Sequence, residues 1–145
     1  MRVDASVAVP VAPDRVWSVL VRWEVQPSWM RDADRVDVLT SRREGVGVRI
    51  AVRTRVLNVP AFTEVLEVTA WDPPRRLEIA HRSFLRGTGV WELAPTAGGT
   101  RFTWTEHVSL PVPLLGELAL LAYRPVLRFL MRRGLDDVRR FVIAS

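Results

Sequence analysis

One carboxylate in the chain occupies a setting that could support acid–base chemistry. Phe102, Trp104, Glu106 and Val108 lie two residues apart, so in a β-strand they share one face, and the apolar members mark that face as the buried one. A carboxylate removed from water favours its protonated form and can exchange a proton near neutral pH. Glu106 is therefore a candidate catalytic residue. The alternative is a structural role, in which Glu106 lies at the end of its strand and pairs with an arginine.

His81 and Tyr123 are the other two candidate catalytic side chains. His81 alternates with Leu77 and Ile79, so we expect it to point inward, either as a proton-transfer group or as a hydrogen-bonded packing residue. Tyr123 falls on the apolar stripe of a predicted helix. Its hydroxyl could hold a ligand carbonyl there, or it could bond the backbone at the rim. The three residues are thus candidates for the polar contacts of a site.

Composition excludes several kinds of chemistry. The chain has no cysteine, which removes thiolate nucleophiles, disulfides and thiolate metal sites, and its two histidines are too few for a histidine-rich metal centre. It has no Gly-rich phosphate loop, nucleophile elbow or metal-ligand spacing. We therefore predict no metal and no cofactor.

The charge pattern argues against nucleic acid as a partner. All 21 basic residues are arginine, and they alternate with Asp and Glu without running beyond a pair. Nucleic-acid binding needs basic residues clustered on one face. The charged cluster at residues 31–35, which contains Asp32, is predicted to be a solvated loop with weak surface ion pairs.

Periodicity predicts the elements that position these side chains. Residues 3–9 alternate as a strand, Pro13-Asp14 begin a short helix, and residues 27–30 form a second short turn or helix. Six alternating segments follow between residues 35 and 108, joined by short turn-rich connections that favour an antiparallel meander. From Leu120 to Phe141 the period is helical, and Pro125 should kink or divide this helix.

These elements predict an α+β fold in one domain over residues 1–145. Because only the last helix is long enough to cover a sheet face, we expect a seven-stranded antiparallel sheet curled around the long C-terminal helix, with two short helices between strands 1 and 2. A gap at one end would form an apolar pocket. Trp91 and Trp104, on adjacent strands, would form an aromatic wall of this pocket or pack against the helix. The full predicted lining is Trp29, Ile50, Leu66, Leu77, Trp91, Phe102, Trp104 and Leu127.

The sequence does not favour a secreted or membrane-inserted protein. The first residues lack an apolar stretch before Asp4. The most apolar segment, Leu110 to Met131, still carries Glu117, two arginines and three prolines, which argues against a membrane span. We expect a cytoplasmic protein without stable membrane insertion.

Four phrases carry a resemblance to a known family. They are VAPDRVW at residues 11–17, WDPPRRL at 71–77, GGTRFTW at 98–104, and the helix around Arg124-Pro125. In this order they resemble the SRPBCC or START-like helix-grip superfamily of lipid-transfer START domains, birch-pollen-type allergens and polyketide cyclases. The most similar branch is the bacterial polyketide cyclase/dehydrase-like one. The resemblance covers essentially the whole chain and implies the helix-grip fold, which hosts carriers, receptors and enzymes alike.

Three functional hypotheses remain open. The first is binding of a hydrophobic or aromatic small molecule, oriented by Glu106, His81 and Tyr123. The second, implied by the resemblance, is a polyketide aromatase/cyclase. There Glu106 or His81 would remove a proton next to a carbonyl, Tyr123 or an arginine would polarise the carbonyl oxygen, and an acidic acyl carrier protein would deliver the substrate.

The third hypothesis is a quinone-handling or interaction module, in which Trp91, Trp104 and Leu127 would fill the interior. The size of the pocket distinguishes this hypothesis from the other two. The oligomeric state, monomer or dimer, is left open.

Overall fold

The computed structural model describes residues 1–145 as a single antiparallel sheet with helices on one side. The chain runs in the order β1, α1, a 3₁₀ helix, β2 to β7, and α2, which is the predicted order. The bounds are β1 Arg2–Val9, α1 Pro13–Leu20, the 3₁₀ helix Trp23–Ser28, β2 Ala33–Val38, β3 Arg49–Val56, β4 Val59–Asp72, β5 Arg76–Arg82, β6 Arg86–Thr96, β7 Gly99–Ser109 and α2 Leu115–Ala144.

The seven strands form one curled half-barrel around α2. The strand order is β1-β7-β6-β5-β4-β3-β2, and every neighbouring pair is antiparallel. From β2 to β7 each strand pairs with the next one along the chain, while β1 closes against β7. The prediction of an α+β helix-grip fold with seven strands and two short helices between strands 1 and 2 is confirmed.

The C-terminal half of α2 anchors the helix on the sheet. Met131, Leu135, Val138 and Val142 are at most 1% exposed, and they belong to one continuous apolar core. Gly134 lets the helix approach closely, because a Cβ atom there would lie 2.7 Å from the backbone oxygen of Trp29. Removing this apolar face from water is what holds a long helix against a sheet.

The sequence predicted that Pro125 would kink or divide the last helix. The helix is not divided at this residue. Pro125 lies inside a single α-helix of 30 residues. The missing backbone donor removes one hydrogen bond. Both halves of the helix pack inward, with Leu120 buried on one side of Pro125 and Met131 buried on the other. This packing on both sides of the proline keeps the helix continuous.

None of the helices combines the length and the hydropathy that a membrane span requires.

Candidate functional site

A cavity of about 340 Å³ lies between the sheet and the first half of α2. This volume falls within the range of small-molecule sites. Of its 24 lining residues 17 are hydrophobic, so most of the wall offers no hydrogen bond. Trp91, Trp104 and Leu127 line the cavity without filling it. The third hypothesis required these three side chains to fill the interior, and they do not.

The two tryptophans form the predicted aromatic wall. Trp91 on β6 and Trp104 on β7 stand opposite each other in the sheet register, and both side chains face the cavity. Trp29 packs edge-on against both from outside the cavity, with ring centroids 5.5 and 6.1 Å away. Aromatic packing by Trp29 thus holds this wall in place.

The predicted lining divides into two groups. Ile50, Leu66, Trp91, Trp104 and Leu127 do border the cavity. Trp29, Leu77 and Phe102 do not border it and instead pack within the apolar core. They share the inward face of their elements with true lining residues, and alternation alone does not distinguish a core position from a cavity wall.

The polar part of the wall is centred on His81. Its Nδ1 lies 3.0 Å from Oε1 of Glu64, and its Nε2 lies 2.9 Å from Oε2 of Glu106. The side chains of His81 and Glu64 are 8% and 9% exposed, so the pairing is almost fully withdrawn from water. The His81 ring can donate a hydrogen bond to both carboxylates only when both of its nitrogens carry a proton, that is, as the imidazolium.

The protonation of His81 follows from these contacts. Burial alone would lower the pKa of His81, but the hydrogen bonds and charges of Glu106 and Glu64 outweigh it and raise that pKa to about 10. His81 is therefore a fixed cation at neutral pH. It can donate hydrogen bonds, and while it holds this proton it is a poor proton acceptor.

The outer oxygens of the two carboxylates also have donors. The indole Nε1–H of Trp104 donates to Oε1 of Glu106 at 3.0 Å. The hydroxyl of Thr54 donates to Oε2 of Glu64 at 3.2 Å. Each carboxylate oxygen of Glu64 and Glu106 thus has one protein donor and can accept a second hydrogen bond. A buried network bonded in this way is rigid.

Tyr123, the third candidate catalytic residue, lines the same cavity from α2. Burial, and then the negative charge of Asp32, raise the pKa of Tyr123 above its ordinary value. The hydroxyl therefore stays protonated at neutral pH and can donate to an oxygen of a bound molecule. The structure thus brings Glu106, His81 and Tyr123 to one space, as the sequence predicted.

Asp32 is a cavity residue that sequence reasoning placed wrongly. The predicted solvated loop does contain surface pairs, such as that of Arg31 with Asp137 at 2.6 Å. The carboxyl group of Asp32, however, is buried at the cavity wall although part of the residue is exposed. Burial raises the pKa of Asp32 to about 6; its own backbone hydrogen bond and His81 oppose this rise, and Glu106 and Glu64 add to it. A carboxyl with such a pKa can exchange protons near neutral pH.

Glu64 is the second residue that the sequence analysis missed. It lies on β4 two residues before Leu66 and four before Val68, so it shares their inward face. This alternation within the predicted strand was the available signal. The partnership with His81 was not visible, because it depends on the register of β4 with β5.

Several solved structures share this fold. TTHA0849 from Thermus thermophilus superimposes with a TM-score of 0.81 at 21% identity, covering 99% of this chain and 98% of that one. The di-domain ARO/CYC StfQ from the steffimycin biosynthetic pathway gives 0.78 at 18% identity, covering 99% of this chain and 50% of that one. The ZhuI aromatase/cyclase from Streptomyces sp. R1128 gives 0.74 at 18% identity, covering 98% and 93%.

A family model agrees with these structural likenesses and with the resemblance of the four sequence phrases. The model described as polyketide cyclase/dehydrase and lipid transport matches residues 1–142, nearly the whole chain. The chain belongs to the polyketide cyclase/dehydrase and lipid transport family.

Proposed function

We propose that the protein binds a neutral, lipophilic small molecule that has an aromatic or extended apolar body and a hydroxyl or enol group. The apolar walls of the cavity, with Trp91 and Trp104, take the body. The carboxylates of Glu64 and Glu106 accept hydrogen bonds from the polar group. The observation that carries this proposal is an apolar cavity of about 340 Å³ whose wall holds a buried, hydrogen-bonded Glu–His–Glu network.

The charge of the network selects among ligands. Two carboxylates flank one imidazolium, which leaves one net negative charge, and Asp32 adds to it as that residue ionises. An anionic ligand head would be desolvated beside like charges, which is unfavourable in a cavity with few polar groups. Hydroxyl and enol groups are donors and suit the same oxygens. We therefore expect neutral donors to be preferred over fatty-acid or other carboxylate ligands.

Three matched aromatic probes test this proposal. Binding of naphthalene, 1-naphthol and 1-naphthoate is followed by quenching of tryptophan fluorescence, since Trp91 and Trp104 line the cavity. We expect 1-naphthol to bind roughly tenfold more tightly than naphthalene, because it adds a hydrogen bond to a charged acceptor, and 1-naphthoate to bind most weakly. Tightest binding of 1-naphthoate would refute the charge argument, and absence of binding by all three would refute the binding role.

A second candidate function is cyclisation and dehydration of a poly-β-ketone chain. The specific observation in its favour is that Asp32, with a pKa of about 6, and the protonated hydroxyl of Tyr123 face one cavity. Similarity to proteins described as aromatase/cyclases supports it. In this reaction Asp32 would remove a proton next to a carbonyl, and Tyr123 would hydrogen-bond the carbonyl oxygen. His81 would fix Glu64 and Glu106, while the walls fold the chain.

The test is turnover of a poly-β-ketone thioester, presented either free or on an acyl carrier protein as the acidic partner. We expect turnover to rise as pH increases through about 6, and Asp32→Asn to lose most of it. Asp37→Asn, which changes a carboxylate on the exposed side of β2, is the matched control. Unchanged turnover in Asp32→Asn would remove this candidate while leaving the binding proposal intact.

A further inference from the structure

Six large apolar side chains stand exposed around the mouth of the cavity. They come from three segments: the β3–β4 turn, the β5–β6 loop and the start of α2. Neighbours of each segment, such as Val56, Leu85 and Ala119, line the cavity, which places all three segments around one opening. We call this surface the apolar rim; its members, each between 60% and 74% exposed, are Leu57, Val59, Phe84, Leu114, Leu115 and Leu118.

Two of the rim leucines occupy backbone conformations that bulky residues avoid. Leu57 has φ of 50° and Leu114 has φ of 63°. Leu114 is the central residue of a three-residue turn closed by a 2.7 Å hydrogen bond from the amide of Leu115 to the oxygen of Pro113. Such conformations lower stability, and a function that uses the exposed leucine side chains would account for them. Both side chains point into water, so the core gains nothing from leucine at these positions.

Positive charge accompanies the rim. Between Leu110 and Leu127, the part of the chain next to the rim, the charged residues are Glu117 and Arg124; three more arginines follow on α2 up to Arg133. Arg86, which begins β6 beside the rim, and Arg124 on α2 form no salt bridge. Arg124 donates a hydrogen bond to the backbone oxygen of Arg2, so neither its charge nor that of Arg86 is neutralised by a carboxylate. An apolar surface beside such arginines complements the anionic surface of a lipid bilayer, where the side chains enter the acyl boundary and the charges meet the headgroups.

The shape of the rim favours a bilayer over a folded partner. Leu57, Phe84 and Leu114 stand on three separate segments that surround an opening. A soft medium can close around each protruding side chain, whereas a protein partner would need a matching hollow for each. The apolar surface also continues along the outer side of α2 through Leu121 and Phe129, which are 57% and 61% exposed.

We propose that the apolar rim docks reversibly on an anionic lipid bilayer, with the mouth of the cavity towards the membrane. A lipophilic molecule then passes between the bilayer and the cavity without crossing water. This exchange rests on the proposed binding function, whereas the docking itself does not. Reversible docking is consistent with the expected absence of stable membrane insertion.

Co-sedimentation with lipid vesicles tests the docking. We expect the protein to pellet with vesicles of phosphatidylcholine mixed with phosphatidylglycerol, to bind vesicles of phosphatidylcholine alone weakly, and to be released as salt increases. Leu114→Asp combined with Leu118→Asp should weaken binding roughly tenfold or more. Leu39→Asp changes an exposed leucine that follows β2 at the opposite end of the sheet, and it should bind as the parent protein does.

Other results would overturn the proposal. Absence of binding to anionic vesicles would do so, as would a double variant that binds as well as the parent. A dimer in sedimentation equilibrium that the same double variant dissociates, without vesicle binding, would assign the rim to a second copy of the chain. Neither Leu114 nor Leu118 lines the cavity, so 1-naphthol binding should be unchanged in the double variant. Failure of docking and failure of ligand binding are therefore distinguishable.

Discussion

The carboxylate of Glu106 on β7 reaches the imidazole of His81 on β5 across an intervening strand. Oε2 of Glu106 and Nε2 of His81 are 2.9 Å apart although β6 separates their strands in the sheet. The inward positions of β6 between them are Gly87 and Gly89, which pair with His81 and Glu106 respectively. A Cβ atom on Gly89 would lie 3.0 Å from Oε1 of Glu106. The absence of a side chain at Gly89 is therefore what leaves room for the bridge.

Replacing Gly89 by alanine should loosen this bridge. The new methyl group would push the Glu106 carboxylate away and weaken its hydrogen bond to His81, so the pKa of His81 should fall by roughly one unit or more. Titration of the His81 imidazole by NMR measures this change. Gly98→Ala is the control, because a Cβ atom at Gly98 meets nothing within 4 Å. An unchanged titration of His81 in Gly89→Ala would show that Gly89 does not govern the contact.

Because the pKa of His81 is raised, the free energy of unfolding should decrease as pH rises into the alkaline range. The imidazole has an ordinary pKa of 6.5 and a folded pKa of about 10, so its stabilisation is complete below about 6.5 and is lost as pH rises through about 10. Between these limits the free energy of unfolding should fall by a few kcal/mol, measured by urea denaturation. His81→Gln should lack this fall, and His107→Gln, which changes an exposed residue, should keep it. A flat profile in the parent protein would contradict the imidazolium.

Asp32 should also make stability fall as pH rises, but over a more acidic range, because burial makes its ionised carboxylate unfavourable. Ionisation is harder in the folded protein, so stability is lost as pH rises from about 3.8 to about 6. Asp32→Asn removes this penalty and should be more stable than the parent at pH 7 by about 1 to 3 kcal/mol, with no gain near pH 4. Denaturation curves at the two pH values make the comparison, with Asp37→Asn as control. A loss of stability at pH 7 would contradict the burial of this charge.

Leu57 offers a test in which stability and membrane docking should change in opposite directions. Asparagine tolerates positive φ better than leucine does, so Leu57→Asn should stabilise the two-residue β3–β4 turn by about 1 kcal/mol. The same change removes an apolar side chain from the rim and should weaken binding to anionic vesicles. Thermal unfolding measures the change in stability, and vesicle co-sedimentation measures the change in docking. The control Leu39→Asn should neither stabilise the protein nor weaken vesicle binding. Weaker binding together with lower stability would point to misfolding and contradict the account of the turn.

The fold was predictable because its signals are local. Alternation along each strand, short turns between strands and a helical period after Leu120 each depend on neighbouring residues. The family resemblance placed the same elements in the helix-grip order. Continuity of α2 through Pro125 was less predictable, because it depends on packing of both helix halves against distant residues.

The site was predictable only in part, because it depends on sheet register. Glu106, His81 and Tyr123 were identified from the faces on which they lie. The bridge between Glu106 and His81, the second bond to Glu64, and the burial of Asp32 arise where distant segments meet. Asp32 was misassigned because four charged side chains within five residues suggest a solvated loop, and its carboxyl is buried by other elements.

Binding of a neutral lipophilic molecule in the cavity is tested most directly by mass spectrometry of small molecules that remain bound when the protein is purified from its native host. We expect a neutral lipophilic molecule bearing a hydroxyl or enol group, and we expect it to be lost in a variant whose cavity is filled by Leu66→Trp and Leu127→Trp. These residues line the cavity from β4 and α2, on opposite walls. Leu39→Trp, outside the cavity, should carry the same molecule as the parent. Recovery of no molecule, or of the same molecule from the filled variant, would contradict the cavity as the binding site.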